Sequence, residues 1–400
     1  MNRIVVIGAG QAGAALVSKL RAAGYAGELV LLGEEPAPPY QRPPLSKAYL
    51  LGEMAQERLF LRPETWYAEQ RIDLRTGTPV RAIDRGARQV VLDRGVIGYD
   101  ALALTTGSVP RYLPEAVGGG LDGVHVVRGL ADVDAMAPEF APGRRVVIVG
   151  GGYIGLEAAA VAASKGLEVT VLEMAPRILQ RVAAPETSDV MRALHQAHGV
   201  RVLEATGLQR ISGEGRARGV MLSDGTELPT DFVIVGIGIL PATALAEGAG
   251  LTVDNGIAVD AQGRTSDPDI WAAGDCASFP FAGRRMRLES VQNAIDQAEL
   301  VADNILGAGR DYAPVPWFWS DQYHMKLQIA GLNAGHDRLV VRAGSGRSHW
   351  YFAGKRFLSV DAFNDPRAYM VGKRLLEQGR SPDPALIADP GVDLKVLLKG

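Results

Sequence analysis

Two stretches of the chain run apolar without interruption and then stop at a cluster of glycines. The first is Ile4-Val5-Val6-Ile7, followed by Gly8-Ala9-Gly10-Gln11-Ala12-Gly13. The second is Val146-Val147-Ile148-Val149, followed by Gly150-Gly151-Gly152-Tyr153-Ile154-Gly155. Short β-branched runs lacking polar alternation predict strands buried on both faces of a parallel sheet. Each glycine cluster leads into an alanine-rich stretch of helical character, then into a further apolar run, Glu28 to Leu32 and Glu168 to Leu172. The pattern is a strand–helix–strand unit, present twice. Beyond Pro314-Val315-Pro316 it changes. Alternating segments such as Lys326 to Ile329, Arg338 to Arg342 and Trp350 to Phe352 predict an antiparallel α+β domain.

The predicted fold class is α/β, with two Rossmann-like dinucleotide-binding domains and a C-terminal α+β domain. The expected boundaries are residues 1–110 with 243–315 for the first nucleotide domain, 111–242 for the second, and 316–400 for the last. A length of 400 residues suits two or three domains.

Composition narrows the chemistry. A net charge of −3 gives no bias toward nucleic acid or anionic membrane. The single cysteine, Cys276, excludes an intrachain disulfide and any dithiol electron relay; it is expected to be a small buried residue. The apolar start of the chain is compatible with a signal peptide, but regularly placed glycines fit a nucleotide fold better. The apolar run Phe232 to Ala246 is broken by Pro241 and is too short to span a bilayer. A soluble, cytoplasmic protein is expected. His195 and His198 lie one helical turn apart with no third ligand nearby, so no metal site is expected and both are assigned to a solvated helix face.

Glycines after a buried strand let the backbone turn tightly and approach a pyrophosphate, whose charge sits at the following helix N-terminus. Gly8, Gly10 and Gly13 form one such fingerprint; Gly150, Gly152 and Gly155 form the other. Glu34 and Glu173 fall where a carboxylate would accept hydrogen bonds from a ribose. Two fingerprints call for two dinucleotides. Hydride exchange between nicotinamide and flavin makes FAD and NAD the expected pair.

Three further segments carry a more specific resemblance: Arg42-Pro43-Pro44-Leu45-Ser46-Lys47, Gly150 to Glu157, and Pro316-Trp317-Phe318-Trp319-Ser320-Asp321-Gln322-Tyr323. With them, the chain from Ile4 to at least Asp361 resembles the putidaredoxin reductase-like, FAD-dependent NADH:ferredoxin reductases of bacterial oxygenase systems. Thr105 to Arg111 and Trp271 to Asp275 resemble the two additional FAD signatures of two-dinucleotide flavoproteins. The resemblance implies a glutathione-reductase-like fold, FAD on the first loop and NAD on the second. It carries Ala12, Glu34, Arg42, Lys47, Val80, Arg128, Asp275, Val291 and Trp319 over as FAD contacts, and Ile154, Glu173 and Gly238 over as NAD contacts. Lys47 would stabilise charge at the flavin, held by Glu157. Thr105 and Gly129 depart from the usual residues.

The implied function is transfer of a hydride from NADH to FAD, then of single electrons to a [2Fe-2S] ferredoxin serving a cytochrome P450 or another oxygenase. A rubredoxin reductase, an NADH oxidase, or a redox sensor like apoptosis-inducing factor are the alternatives. A monomer is expected. Two basic runs, Arg284-Arg285 with Arg287, and Arg367 with Lys373, Arg374 and Arg380, are candidate docking charges for an acidic ferredoxin.

Overall fold

The structure, a computed structural model, describes residues 1–344 and 346–399. The chain sorts into two compact units. The first comprises Met1–Gln41, Ala55–Val109 and Ile239–Pro314; the second comprises Arg42–Met54, Pro110–Gly238 and Val315–Gly400.

In the first unit, a five-stranded parallel sheet runs in the order Ile270–Ala272, Ala101–Leu104, Arg3–Ile7, Glu28–Leu32, Ile72–Arg75. Alternate side chains of Arg3–Ile7 leave opposite faces. Ile4 and Val6 pack with Leu16, Val17 and Leu20 of the helix Gln11–Ala22 and with Ala298, Val301 and Ala302 of the helix Val291–Ile305. Val5 and Ile7 pack on the other side, in one cluster with Leu102, Leu104, Ile257 and Val259. Both faces are covered, which accounts for the absence of polar alternation in that run. A three-stranded antiparallel sheet, Val80–Asp84, Gln89–Leu92 and Val96–Gly98, belongs to the same unit.

The second unit repeats the parallel plan. Its strand order is Arg201–Leu203, Glu168–Leu172, Arg145–Val149, Phe232–Val235, Val124–Val126. Leu156, Ala158 and Ala162 of the helix Tyr153–Ser164 are wholly buried, as its alanine-rich composition suggests. The same unit contains a five-stranded antiparallel sheet in the order Trp317–Gln322, Met325–Gly331, Arg356–Phe363, Arg347–Ala353, Arg338–Ala343. The helix Pro366–Glu377 covers it, burying Trp350, Phe352, Val360 and Leu375 in one core. Asp365 caps that helix by accepting from Ala368 N at 3.0 Å.

One segment lies differently from the expected boundaries. Arg42–Met54, placed by sequence in the first nucleotide domain, packs with the second unit. The reason is local bonding: Ser46 Oγ donates to Glu157 and Tyr49 OH donates to Asp134 Oδ1 at 2.7 Å.

Candidate functional site

The two glycine loops have matching geometry. Gly8 and Gly150 have φ of +112° and +110°, a region L side chains rarely adopt. A Cβ on Gly8 would lie 2.2 Å from Thr105 O, and one on Gly150 would lie 2.3 Å from Gly236 O. Gly13 and Gly155 bring their helices against the loop, since Cβ atoms there would meet Gly8 O at 2.0 Å and Gly150 O at 2.2 Å. At Gly10 and Gly152, by contrast, a Cβ would meet nothing within 4 Å. Each loop therefore has two glycines required by the protein's own packing and one facing open space at a helix N-terminus. That is the form a pyrophosphate cradle takes, and both loops fit a dinucleotide.

Thr105, an atypical residue by sequence, has a positioning role: its hydroxyl donates to Gly8 O at 2.8 Å and so holds the first loop. Nothing in its local sequence signals that bond. Ala12 is buried in the helix that the loop opens, and Glu34 is exposed just beyond the strand Glu28–Leu32. Val80 begins its strand half-buried. Asp275 follows Gly274 (φ +82°) and accepts from Ser108 Oγ at 3.1 Å. Val291 opens a helix capped by Ser290, whose hydroxyl accepts from Asn293 N at 3.1 Å. Cys276 is buried, and burial pushes its thiol up.

In the second unit, Glu173 ends its strand with both carboxylate oxygens held at 2.8 Å, one by Gly151 N and one by Ala175 N. Ile154 is exposed at the N-terminus of its helix. Gly238 has φ +104°, and its carbonyl accepts from Arg111 N at 2.9 Å. Arg42 Nη1 donates to Arg128 O at 2.8 Å, bringing those two predicted residues together. Trp319 stacks obliquely on Trp317, with ring centroids 5.6 Å apart.

Buried Glu157 pairs with half-buried Lys47, 2.7 Å from Nζ to Oε2. Pro43 and Pro44 pre-set the backbone of the short 3₁₀ turn Pro43–Ser46, which delivers Ser46 and Lys47 side by side. Ser46 Oγ donates to Glu157 Oε2 at 2.6 Å, and Ser320 Oγ donates to Glu157 Oε1 at 2.7 Å. A carboxylate out of water is tolerated only with partners of this kind, and Glu157 has three. Sequence reasoning found Lys47 and Glu157 but neither serine.

His195 corrects an expectation. It is not on a solvated face: it is fully buried and bonded to Gln322 at 2.7 Å. Burial lowers its imidazole to about 4. His198, one turn on, is exposed. Among the described residues, no group of three His, Cys, Asp or Glu side chains could hold a metal ion.

Two dinucleotide folds, each with its own glycine cradle, define a pyridine nucleotide-dependent flavoprotein oxidoreductase. The chain belongs to the pyridine nucleotide-disulphide oxidoreductase family, whose model matches residues 2–298, and a reductase C-terminal model matches residues 317–398. Within the family it is one of the putidaredoxin reductase-like ferredoxin reductases, an FAD-dependent enzyme using FAD and NAD(H). It is 44% identical over 402 residues to the rhodocoxin reductase of Rhodococcus erythropolis, covering 99% of this chain and 94% of that protein. It is 41% identical to the putidaredoxin reductase of Pseudomonas putida, covering 99% and 97%. Among solved structures, putidaredoxin reductase in its covalent complex with putidaredoxin superposes with a TM-score of 0.96 at 40% identity, covering 100% of this chain and 98% of that one. The family name includes a disulphide, but this chain's one cysteine leaves no dithiol to serve as one.

Proposed function

We propose that the chain passes electrons from NADH to a [2Fe-2S] ferredoxin that supplies a cytochrome P450 or another oxygenase, as a cytoplasmic monomer. The observation that carries the proposal is the Lys47–Glu157 pair, a fixed positive group held by a carboxylate with three donors. We assign FAD binding to Gly8, Gly10, Ala12, Gly13, Glu34, Arg42, Lys47, Val80, Arg128, Asp275, Val291 and Trp319; the FAD domain is assigned to residues 1–110 and 243–315, and Arg128 and Trp319 fall outside those bounds. We assign NAD binding to Gly150, Gly152, Ile154, Gly155, Glu173 and Gly238, in a domain of residues 111–242, with residues 316–400 as a third domain. FAD supplies the exchange between the two-electron chemistry of a hydride and the one-electron chemistry of an iron–sulfur centre. The chain's own contribution is electrostatic: Lys47 opposes negative charge developing on the ring system, and Glu157 keeps Lys47 in place. The test is NADH-driven cytochrome c reduction with and without an added [2Fe-2S] ferredoxin. At least tenfold stimulation by the ferredoxin is expected. Equal rates would reject ferredoxin as the acceptor.

NADH should be preferred to NADPH. Glu173 places a carboxylate at the end of the second strand, where it favours a ribose hydroxyl and repels a 2′-phosphate. Arg177, the nearest cation in sequence, is turned to Ser188 Oγ at 2.5 Å. The kcat/KM for NADH should exceed that for NADPH by at least tenfold, and Glu173→Gln should narrow the gap. Equal values in the unsubstituted enzyme would reject this role for Glu173.

The basic runs are less free than their sequence implies. Arg287 pairs with Glu289 at 2.6 Å, and Arg285 donates to the Val259 carbonyl at 2.8 Å. Lys373 pairs with Glu377 at 2.5 Å, and Arg380 donates to the carbonyls of Leu397 and Leu398. Arg284 and Arg374 are exposed and have no ion-pair partner among the described residues. If these charges steer an acidic ferredoxin, Arg284→Glu and Arg374→Glu should each lower ferredoxin turnover several-fold at low salt and little at 1 M, where the Debye length is about 3 Å. Turnover indifferent to both substitutions would remove these residues from docking.

A further inference from the structure

Glu157 is the inner end of a line of buried polar groups. Side chains alternate along the strand Trp317–Gln322, so Phe318, Ser320 and Gln322 share a face. That face meets two helices. The Phe318 ring lies 4.6 Å from that of Tyr153, and Ser320 Oγ lies 2.7 Å from Glu157 Oε1. Gln322 Nε2 reaches Ser320 Oγ at 3.0 Å, and Gln322 Oε1 reaches His195 Nε2 at 2.7 Å. His195 Nδ1 lies 3.3 Å from Tyr323 OH, and exposed His198 stacks on the Tyr323 ring at 3.7 Å. Tyr323 occupies the turn with φ +54°, a conformation unfavourable for a bulky residue. The fold retains it where the phenol reaches His195.

The direction of each bond follows from the one before it. The Glu157 carboxylate can only accept, so the single hydroxyl proton of Ser320 points to it. The Ser320 oxygen then accepts, which turns the amide nitrogen of Gln322 toward it and the amide oxygen toward His195. His195 must therefore carry its proton on Nε2. Buried and neutral, its Nδ1 is an acceptor, and the Tyr323 hydroxyl donates to it. Every donor in the line points toward Glu157. Bonds aligned in this way polarise one another. An amide in the middle conducts protons poorly, so the line suits orientation rather than proton transfer.

We propose that Ser320, Gln322 and His195 are positioning residues for the Lys47–Glu157 pair, their one-way hydrogen-bond chain fixing Glu157 as an acceptor and, through it, the charge of Lys47. This rests on the assignment of Lys47 to the flavin. Loss of the Ser320 hydroxyl leaves one carboxylate oxygen without its donor. The carboxylate charge, no longer shared with that donor, offsets more of the Lys47 charge, and the positive field beyond it weakens.

The test uses FAD-loaded protein and two readouts: the midpoint potential of the bound flavin by spectroelectrochemistry, and single-turnover reduction across NADH concentrations. Ser320→Ala should lower the midpoint potential, in the same direction as Lys47→Met. The expected size is about 30 mV, the two-electron equivalent of a tenfold change. It should slow reduction at saturating NADH about tenfold while changing the NADH Kd less than twofold. Ser320→Thr, which keeps the hydroxyl, should restore both. His195→Phe should shift both readouts the same way by less. If Ser320→Ala does not fold, the isosteric Ser320→Cys, a weaker donor, is read in its place. Should Lys47→Met move the potential while the Ser320 and His195 variants leave it unchanged, the chain has no positioning role and the Lys47 assignment stands. Should Lys47→Met itself move nothing, that assignment falls and the positioning proposal falls with it.

Discussion

Lys47→Met is expected to slow reduction of the bound flavin by NADH about 100-fold while NADH affinity stays within a few-fold of the unsubstituted enzyme. The ammonium is fixed at 2.7 Å from Glu157 and is only 20% exposed, so little solvent screens it. Removing one preorganised donor at a site of developing charge costs on the order of 10²–10³ in rate. A contact that strengthens as charge develops acts on the transition state, so the loss should appear in the limiting rate rather than in binding. Methionine keeps the length of the stem, and Glu157 retains Ser46 and Ser320 as donors, so the fold should survive. Stopped-flow absorbance at several NADH concentrations separates the two terms. An unchanged limiting rate with full FAD occupancy would remove Lys47 from the chemistry.

The second large effect is on stability in acid. Burial lowers His195 and His349 to about 4, against about 6.5 in an unfolded chain. The unfolded chain therefore binds protons first. Stability from the two neutral rings is complete above about pH 6.5 and drains as pH falls toward 4. At about 1.4 kcal/mol per unit, each ring accounts for about 3 kcal/mol. His349 has a specific reason for staying neutral: Arg347 Nε donates to its Nε2 at 2.9 Å, so a proton there would face another cation. Asp361 works in the opposite sense. Burial raises it to about 6, so the folded chain takes up that proton first and gains up to about 3 kcal/mol as pH falls from 6 toward 4. The net expectation is a loss of about 3 kcal/mol between pH 7 and 4. Urea unfolding followed by circular dichroism at several pH values measures it. His349→Gln should flatten the slope, and Asp361→Asn should steepen it. A transition midpoint constant from pH 7 to 4.5 would show that these rings are not held neutral.

What the sequence made legible was local. Each glycine cluster and the strand before it lie within about a dozen residues, and the φ sign and close approach demanded there admit little but glycine. The parallel sheets followed from unbroken apolar runs, and the antiparallel strands from alternation. The pairing of Lys47 with Glu157 has no local signal. It was reached only by resemblance, because a turn and a helix 110 positions apart supply its members. His195 was misassigned for the same reason. Its own helix gives no hint that a strand beginning at Trp317 sets an amide against it. Polar residues in an aromatic segment, Ser320 and Gln322 among Trp317, Phe318 and Trp319, were the one available sign of a buried polar face. Arg285 gives no local sign of its acceptor, the backbone carbonyl of Val259, whereas the Arg287 partner, Glu289, stands two positions on.

The span between Glu157 and Ser320, 163 positions, also has a consequence for synthesis on the ribosome. At about 5–20 residues per second, the strand that satisfies Glu157 and His195 emerges on the order of ten seconds after Glu157 itself. During that interval Glu157 has Ser46 and Lys47 but lacks its third partner, and His195 lacks the Gln322 amide. The nascent chain should therefore be open to chaperones and proteases at these two helices until the final antiparallel sheet closes over them.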